Sequence, residues 1–121
     1  MHFSGCRYGA VLNREQDAAE RLLAAFTGAG EDAYASLAAL FAAKLRLKFT
    51  EKEYRAYRGQ IKERFGLLEE AKFSAFEKFD SGDRVSYLAA FTKEGAVLFS
   101  VSFSKAGRVT RFSIAPLATG G

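Results

Sequence analysis

Three tyrosines are the residues of this chain whose types and positions best suit small-molecule chemistry. Tyr54 and Tyr57 lie three residues apart on the apolar face of a predicted helix, and Tyr87 belongs to a predicted strand. A tyrosine hydroxyl in an apolar cavity can donate a hydrogen bond to a ligand oxygen. With Ile61 and Phe99 they form the predicted lining of a ligand pocket. The alternative is that these rings are core side chains whose hydroxyls reach the rim.

Glu77 is the candidate general base. It follows Phe76 in the first predicted strand, and on the inner side of that strand it would lie in apolar surroundings, where a carboxylate can accept a proton from a substrate. A bulge in the strand would instead turn it outward beside Lys78. Both orientations are open at this point.

The composition gives little support for a metal site or for a catalytic nucleophile. The chain has one cysteine, Cys6, and one histidine, His2, whereas a zinc site needs about three or four protein ligands. Cys6 as a nucleophile would need a nearby base, and His2 is too close to the chain end to serve. Asp80 and Asp83 flank a Ser-Gly pair, which turn chemistry explains without a bound cation. We expect no metal and no cofactor.

The net charge of +4 is dispersed along the chain. Acidic residues interrupt the cations, whereas a nucleic-acid binder usually concentrates its charge in a patch. Nucleic-acid binding is therefore disfavoured. If a basic surface serves nucleic acid or an acidic partner, its residues are Lys44, Arg46, Lys48, Arg55 and Arg58. No apolar run is long enough to cross a membrane.

Apolar stripes at helical spacing predict two helices in the first third of the chain. The first begins at Asn13, which offers an N-cap, and ends before Gly28. The second begins near Asp32 and fades near Lys44. The segment from Leu45 to Phe49 alternates apolar and basic residues, which suits either an extended run or a last helical turn.

The third predicted helix has the clearest boundaries. Thr50 and Glu53 match a capping box, in which each side chain satisfies the other residue's backbone N–H. The helix runs from Glu51 to about Phe65, and Gly66 supplies the stop.

Four strands follow, with apolar and polar residues in alternation. They are predicted over residues 68–79, 84–92, 96–104 and 108–114. The first strand breaks its alternation at Phe76, which either a bulge or burial on both faces would explain. The second and third turns end in Gly95 and Gly107, where a type I turn with a bulge needs a positive φ. Pro116 ends the sheet.

Helices followed by hairpin-linked strands predict a two-layer α+β domain, with the helices covering the apolar face of a curved antiparallel meander. The domain spans residues 13–116, after a flexible segment at 1–12 and before a loose tail at 117–121. The predicted core residues are Leu22, Phe26, Leu37, Phe41, Ile61, Phe65, Val97, Phe99, Val101, Phe103 and Phe112.

The segment Phe3-Ser4-Gly5-Cys6 bears on location. It is similar to the box of bacterial lipoproteins that ends in a lipidated cysteine. If Met1 is the native start, a free thiol and a cytoplasmic protein are expected. If the chain is trimmed from a longer precursor, the cell envelope or the extracellular space is expected.

The order of the helices and strands, and the positions of the turns between them, resemble those of the cystatin-like, nuclear-transport-factor-two-like superfamily. More narrowly, the chain is similar to a bacterial family of small domains of unknown function, which occur in secreted proteins and ahead of serine hydrolases. The carrying residues are residues 32–37, Leu47 through Glu53, Gln60, Phe65-Gly66, residues 103–109, Phe112 and Pro116. The resemblance implies helices inside a cone-shaped sheet and a sheet surface that often dimerises.

This resemblance carries no agreed catalytic residues. Enzymes of the superfamily place Asp, His or Tyr inside the cone, whereas the inward strand positions here are Val, Phe and Ala. We therefore expect a non-catalytic domain that binds a small apolar ligand or a protein partner, with a homodimer through the sheet. The alternative is an isomerase or dehydratase that uses a tyrosine and a carboxylate such as Glu77.

Overall fold

The computed structural model describes residues 7–27 and 34–117, with side chains from Arg14 onward. Within these residues the helices are α1 (Arg7–Phe26), α2 (Tyr34–Ala38), α3 (Ala43–Lys48) and α4 (Glu51–Phe65). The strands are β1 (Leu68–Phe79), β2 (Gly82–Phe91), β3 (Val97–Ser104) and β4 (Val109–Pro116). The predicted α+β fold is confirmed.

The four strands form one antiparallel sheet in the order β1-β2-β3-β4. Tyr87 of β2 lies opposite Phe99 of β3, and Phe99 lies opposite Ile114 of β4. In β3 the residues alternate strictly between buried and half-buried. The buried side faces the helices, as the alternation predicts.

The bulge predicted in β1 is confirmed. The pairing register shifts between Phe73 and Ala75 and again between Leu68 and Glu70. Phe73 lies opposite Tyr87 and Phe76 lies opposite Val85, so both aromatic residues face the helices despite their odd spacing. The bulge adds one residue between them. After the bulge, the positions that face the helices and the positions that face away are therefore exchanged along the rest of the strand.

Phe26 of α1 lies at the centre of the aromatic core. Its ring centroid is 4.9 Å from those of Tyr57 and Phe112, and 6.2 Å from that of Phe99. Most of these pairs meet edge to face or tilted, the arrangement that the ring quadrupoles favour. The predicted core residues are all buried except Phe112, which is half-buried against the cluster.

Helix α4 has its predicted bounds and caps. The backbone N–H of Thr50 donates to Glu53 Oε1 at 3.2 Å, and the Thr50 hydroxyl donates to the same carboxylate. This hydrogen bond with Thr50 lowers the pKa of Glu53. Gly66 ends the helix with φ at 88°.

The predicted start of the first helix is wrong. Helix α1 begins at Arg7 and passes through Asn13, so Asn13 is not an N-cap. Tyr8, Val11 and Leu12 have the i, i+3, i+4 spacing of a helix, a signal that the interpretation of Asn13 as a helix start overlooked. Residues 1–6, with His2 and Cys6, and residues 28–33 and 118–121 lie outside the described part of the chain.

The single second helix is also wrong. Helix α2 ends at Ala38. Phe41 then forms a parallel β-bridge with Val109 of β4. The Val109 N–H donates to Leu40 O at 2.8 Å, and the Ala42 N–H donates to Val109 O at 2.7 Å. The segment from Leu45, for which the sequence allowed either an extended or a helical conformation, is helical as far as Lys48.

Two further details differ from expectation. Gly107 has the predicted positive φ of 83°, but Gly95 is not in this conformation. Asp83, interpreted as a turn residue, lies in β2 because that strand begins at Gly82. Among the described residues, no helix has the length and apolar character to span a bilayer.

Candidate functional site

The tyrosines predicted on α4 are packed into the core. Tyr54 is buried, with its hydroxyl 3.5 Å from Ala25 O. Tyr57 packs against Phe26, and burial raises the pKa of its hydroxyl to about 12. Ile61 is buried beside them. Their role as ligand contacts stays a prediction.

Phe99 is completely buried at the centre of the sheet. It contacts Phe26 and so helps to fill the space between sheet and helices. Its role in a pocket likewise stays a prediction.

Tyr87 is the predicted pocket residue that does line a cleft. Its hydroxyl donates to Glu20 Oε2 at 2.7 Å. Burial, and secondly this hydrogen bond, raise the pKa of Tyr87. The cleft lies between α1 and the first two strands and measures about 330 Å³. Its other lining residues are Leu23, Ala24, Leu68 and Ala71.

Glu77 lies on the outer face of the sheet. It pairs with Arg84 across the strands, and its Oε1 is 2.8 Å from the Arg84 guanidinium. Arg84 also stacks over the ring of Phe79. The inward orientation considered for Glu77 is therefore wrong, because the bulge reverses the alternation before this residue.

Three arginines of the predicted basic surface each make a separate local contact. Arg55 pairs with Glu51 at 2.8 Å, Arg58 lies over the ring of Tyr54, and Arg46 Nε donates to Ala38 O. Both Lys44 and Lys48 are exposed on α3. Exposed pairs of this kind stabilise a fold by at most about 1 kcal/mol.

Sequence reasoning missed a pair of buried carboxyl groups. Glu15 of α1 is only 4% exposed, and Asp83 of β2 is 8% exposed. Hydrogen bonding with Asp83 is one of the influences that raise the pKa of Glu15. Glu15 Oε1 is buried and has no hydrogen-bond partner among the described residues. A buried polar atom without a partner is uncommon and calls for an explanation.

Both residues line a cleft of about 810 Å³. This charged cleft lies where α1 meets the β1–β2 turn and the β3–β4 turn. Arg108 helps to build its wall by donating from Nη1 to Ala39 O at 2.7 Å. The other charged side chains that line it are Arg14, Asp17, Arg21, Lys78, Asp80 and Lys105.

The surroundings of Glu15 favour its protonated form. Burial raises the pKa of Glu15 to about 7, helped by the hydrogen bond and then by the negative charge of Asp83. Lys78 and Arg14 act in the opposite direction and do not reverse the shift. Below about pH 7 Glu15 therefore holds its proton, which avoids a second negative charge beside Asp83.

Both carboxyl groups occupy positions that continue apolar stripes. Glu15 precedes Ala19 and Leu22 by four and seven residues, which places it on the core side of α1. Asp83 precedes Val85 by two residues, which places it on the inner face of β2. This register is the signal that could have identified the site, because a charge on a core-facing stripe needs a partner.

Neither a family model, nor a characterised protein, nor a solved structure matches this chain. The resemblance to the cystatin-like superfamily thus rests on the residues quoted above. The structure adds an α+β architecture with helices on a four-stranded antiparallel sheet.

Proposed function

We propose that this protein is a non-catalytic binding domain of the cystatin-like type, and that it holds a small organic anion in the charged cleft. The observation that carries the proposal is a cleft of about 810 Å³ lined by cationic side chains from α1 and from both hairpin turns. A pocket of this size suits a small molecule. The apolar ligand expected from the sequence is replaced by a charged one, because charged side chains dominate this cleft.

The charge balance of the cleft favours an anion. Five cationic side chains line it, against four carboxyl groups. When Glu15 holds its proton, one of those four groups is neutral, so the positive excess grows. Arginine and lysine from α1 and from the β3–β4 turn can then bind carboxylate or phosphate oxygens.

Binding, rather than covalent catalysis, suits the lining of this cleft. Its described lining residues include no Ser, Thr, Cys, His or Tyr. Catalysis by a hydroxyl, thiol or imidazole nucleophile therefore has no residue to carry it in this lining. What remains is a set of charges from three parts of the fold, which positions a ligand.

The proposal predicts weak but saturable binding of small organic anions. The probes are acetate, succinate, citrate and phosphate, measured by titration calorimetry and by chemical-shift changes of backbone amides. We expect at least one carboxylate to bind, with shifts around Glu15, Asp83 and Lys105. The double variant Arg14→Gln/Lys105→Gln should lower its affinity about tenfold or more, a loss of about 1.4 kcal/mol.

The matched control is Lys72→Gln. Lys72 is exposed on β1, pairs with Glu70 and lies outside the charged cleft. It should bind the same anion as tightly as the parent chain. Equal losses in both variants, or no saturable binding of any probe, would contradict the proposal.

A second candidate function is acid–base catalysis at the Tyr87–Glu20 pair. The observation that favours it is a phenol and a carboxylate 2.7 Å apart in a cleft with an apolar lining. This is the pairing that the isomerase or dehydratase alternative needs, with Glu20 in place of Glu77. The two candidates differ in ligand class, since this smaller cleft suits an apolar carbonyl compound.

A further inference from the structure

We propose that a groove beside α4 binds a phosphate monoester, and that Gly59 keeps this groove open for the ligand. The α4 groove lies between the end of α1 and one side of α4, and it measures about 340 Å³. Its lining residues on α4 are Arg55, Arg58, Gly59 and Lys62. It shares no lining residue with the charged cleft, so the inference goes beyond the proposed function.

Three cationic side chains of α4 line this groove. Arg55, Arg58 and Lys62 follow one another at spacings of three and four residues, which places them on one side of the helix. Among the described lining residues there is no carboxylate. Glu51, which pairs with Arg55 at 2.8 Å, offsets one of the three positive charges. Two positive charges therefore remain without a counter-charge in the lining.

The three cations differ in how firmly they are held. Arg55 is held by Glu51, and the guanidinium of Arg58 lies 5.6 Å from the centre of the Tyr54 ring. Lys62 has neither an ion pair nor a side-chain hydrogen bond within the described part of the chain. Two arginines with restricted positions thus flank a lysine that is available to a ligand.

Gly59 occupies the middle of this cationic surface. It lies four residues after Arg55 and three before Lys62. A glycine inside a helix destabilises that helix relative to alanine. Neither packing nor conformation requires glycine here, since a Cβ would meet nothing within 4 Å and the residue has no positive φ. A side chain at this position would project into the groove, so access for a ligand is the role that we assign to the glycine.

The charge excess favours a dianion over a monoanion. A phosphate monoester carries a charge of about −1.5 to −2 at neutral pH. Its oxygens accept paired hydrogen bonds from arginine, whereas a carboxylate would neutralise only half of the excess. Leu67, which is 58% exposed, lines the same groove and offers an apolar surface to the organic part of the ester.

The experiment compares three probes that differ in charge or in the organic group. Phenyl phosphate has both features, benzoate lacks the second negative charge, and inorganic phosphate lacks the ring. Titration calorimetry at about pH 7.5, where the phosphate is a dianion, measures the affinities. Chemical-shift changes of backbone amides locate the probe. We expect phenyl phosphate to bind about tenfold more tightly than either other probe, with shifts at Arg58, Gly59 and Lys62.

Variants of the groove test its two components separately. Gly59→Leu should weaken the binding of phenyl phosphate about tenfold or more, because the new side chain fills the groove. Gly59→Ala should weaken it less and should stabilise the helix, so its loss of affinity cannot come from unfolding. Lys62→Gln should weaken binding about tenfold, because hydrogen bonds between charged groups are the strong ones.

The matched control is Arg64→Gln. Arg64 belongs to the same helix, stacks over the ring of Phe65 and does not line the groove. It follows Arg55 by nine residues, which places it on the opposite side of the helix. This variant should bind phenyl phosphate as tightly as the parent chain, and thermal unfolding shows that each variant is folded.

Each contrary outcome removes a stated part of the inference. Equal affinities for phenyl phosphate and benzoate would overturn the dianion, and equal affinities for phenyl phosphate and inorganic phosphate would overturn the ester. Shifts confined to Glu15, Asp83 and Lys105 would place the phosphate in the charged cleft. Tighter binding of a short oligothymidylate would assign a nucleic-acid strand to the groove and overturn the small ligand. Unchanged affinity in both Gly59→Leu and Lys62→Gln would overturn the site itself.

Discussion

Glu15 and Asp83 show how a small core can hold two carboxyl groups. Ionising a buried carboxyl is costly, and a second one beside it increases the cost. Here the raised pKa keeps Glu15 protonated up to about pH 7, which removes one of the two charges. Lys78, with its Nζ 3.8 Å from Asp83 Oδ1, offsets the charge that remains. The arrangement is stable at low pH and becomes strained as the proton is lost.

The stability of the protein should therefore depend on pH through Glu15. The folded chain holds this proton more tightly than the unfolded chain, because the pKa is raised from 4.5 to about 7. Between these values the folded state binds more protons, so the free energy of unfolding falls as pH rises. Full loss of one proton corresponds to a slope of at most about 1.4 kcal/mol per pH unit.

Urea denaturation from about pH 4 to pH 8 measures this effect. Glu15→Gln should remove the decline that belongs to Glu15, whereas Glu77→Gln should keep it. Parallel profiles for the parent chain and Glu15→Gln would show that Glu15 is not the group responsible.

The missed site has a physical explanation at the residue scale. Asp83 follows Asp80-Ser81-Gly82, and this composition is sufficient to explain a turn. Local sequence does not reveal that β2 begins at Gly82 and carries Asp83 inward. Glu15 lies inside the helix predicted from Asn13, and its spacing to Ala19 and Leu22 marks a core-facing position, but the sequence does not show which residue lies beside it. The pairing joins residues far apart in the chain, which no local pattern encodes.

At the scale of the element, α4 was predictable because its signals are local. The capping box and the glycine stop lie within one or two turns of the helix ends. The break between α2 and α3 has a distant cause, since its backbone groups bond to Val109 of β4. Tertiary hydrogen bonds there replace those of a continuous helix.

Two glycines of α4 should respond in opposite directions to alanine. Gly59 lies on the exposed side of the helix with open space around it, so Gly59→Ala should stabilise the fold by about 0.5–1 kcal/mol. Gly66 has φ at +88°, and a Cβ there would lie 2.0 Å from Thr92 Oγ1. Gly66→Ala should cost at least about 2 kcal/mol.

Urea or thermal unfolding of both variants checks the pair of effects. The two substitutions add the same methyl group to the same helix, so each controls for the other. A neutral Gly66→Ala would indicate that the chain after α4 can rearrange without loss.

At the scale of the whole molecule, the predicted layers are correct because alternation reports burial directly. In β3 every second residue faces the helices, and Phe26 meets this face from α1. Antiparallel order follows from short connections between the strands. The position of the charged cleft was harder to predict from the sequence, because it depends on two hairpin turns meeting α1 at one end of the sheet.

Substitutions of Phe99 test the packing of the core between the sheet and the helices. Phe99→Asp would place a carboxylate at the completely buried centre of the sheet, with no partner, and should abolish folding. Phe99→Leu should keep the fold and cost about 1–2 kcal/mol. Circular dichroism and urea unfolding distinguish the two, and a folded, soluble Phe99→Asp chain would disprove the inward orientation of this residue.

The open sheet has two edges, and each resists pairing with another chain. At β4, residues Leu40 and Ala42 already occupy the backbone groups of Val109, and Pro116 has no N–H to donate. At β1, two bulges and the charged side chains of Lys72 and Lys78 interrupt the ribbon. Such features protect native sheets against edge-to-edge aggregation. We therefore expect neither edge of the sheet to pair with a strand of another chain.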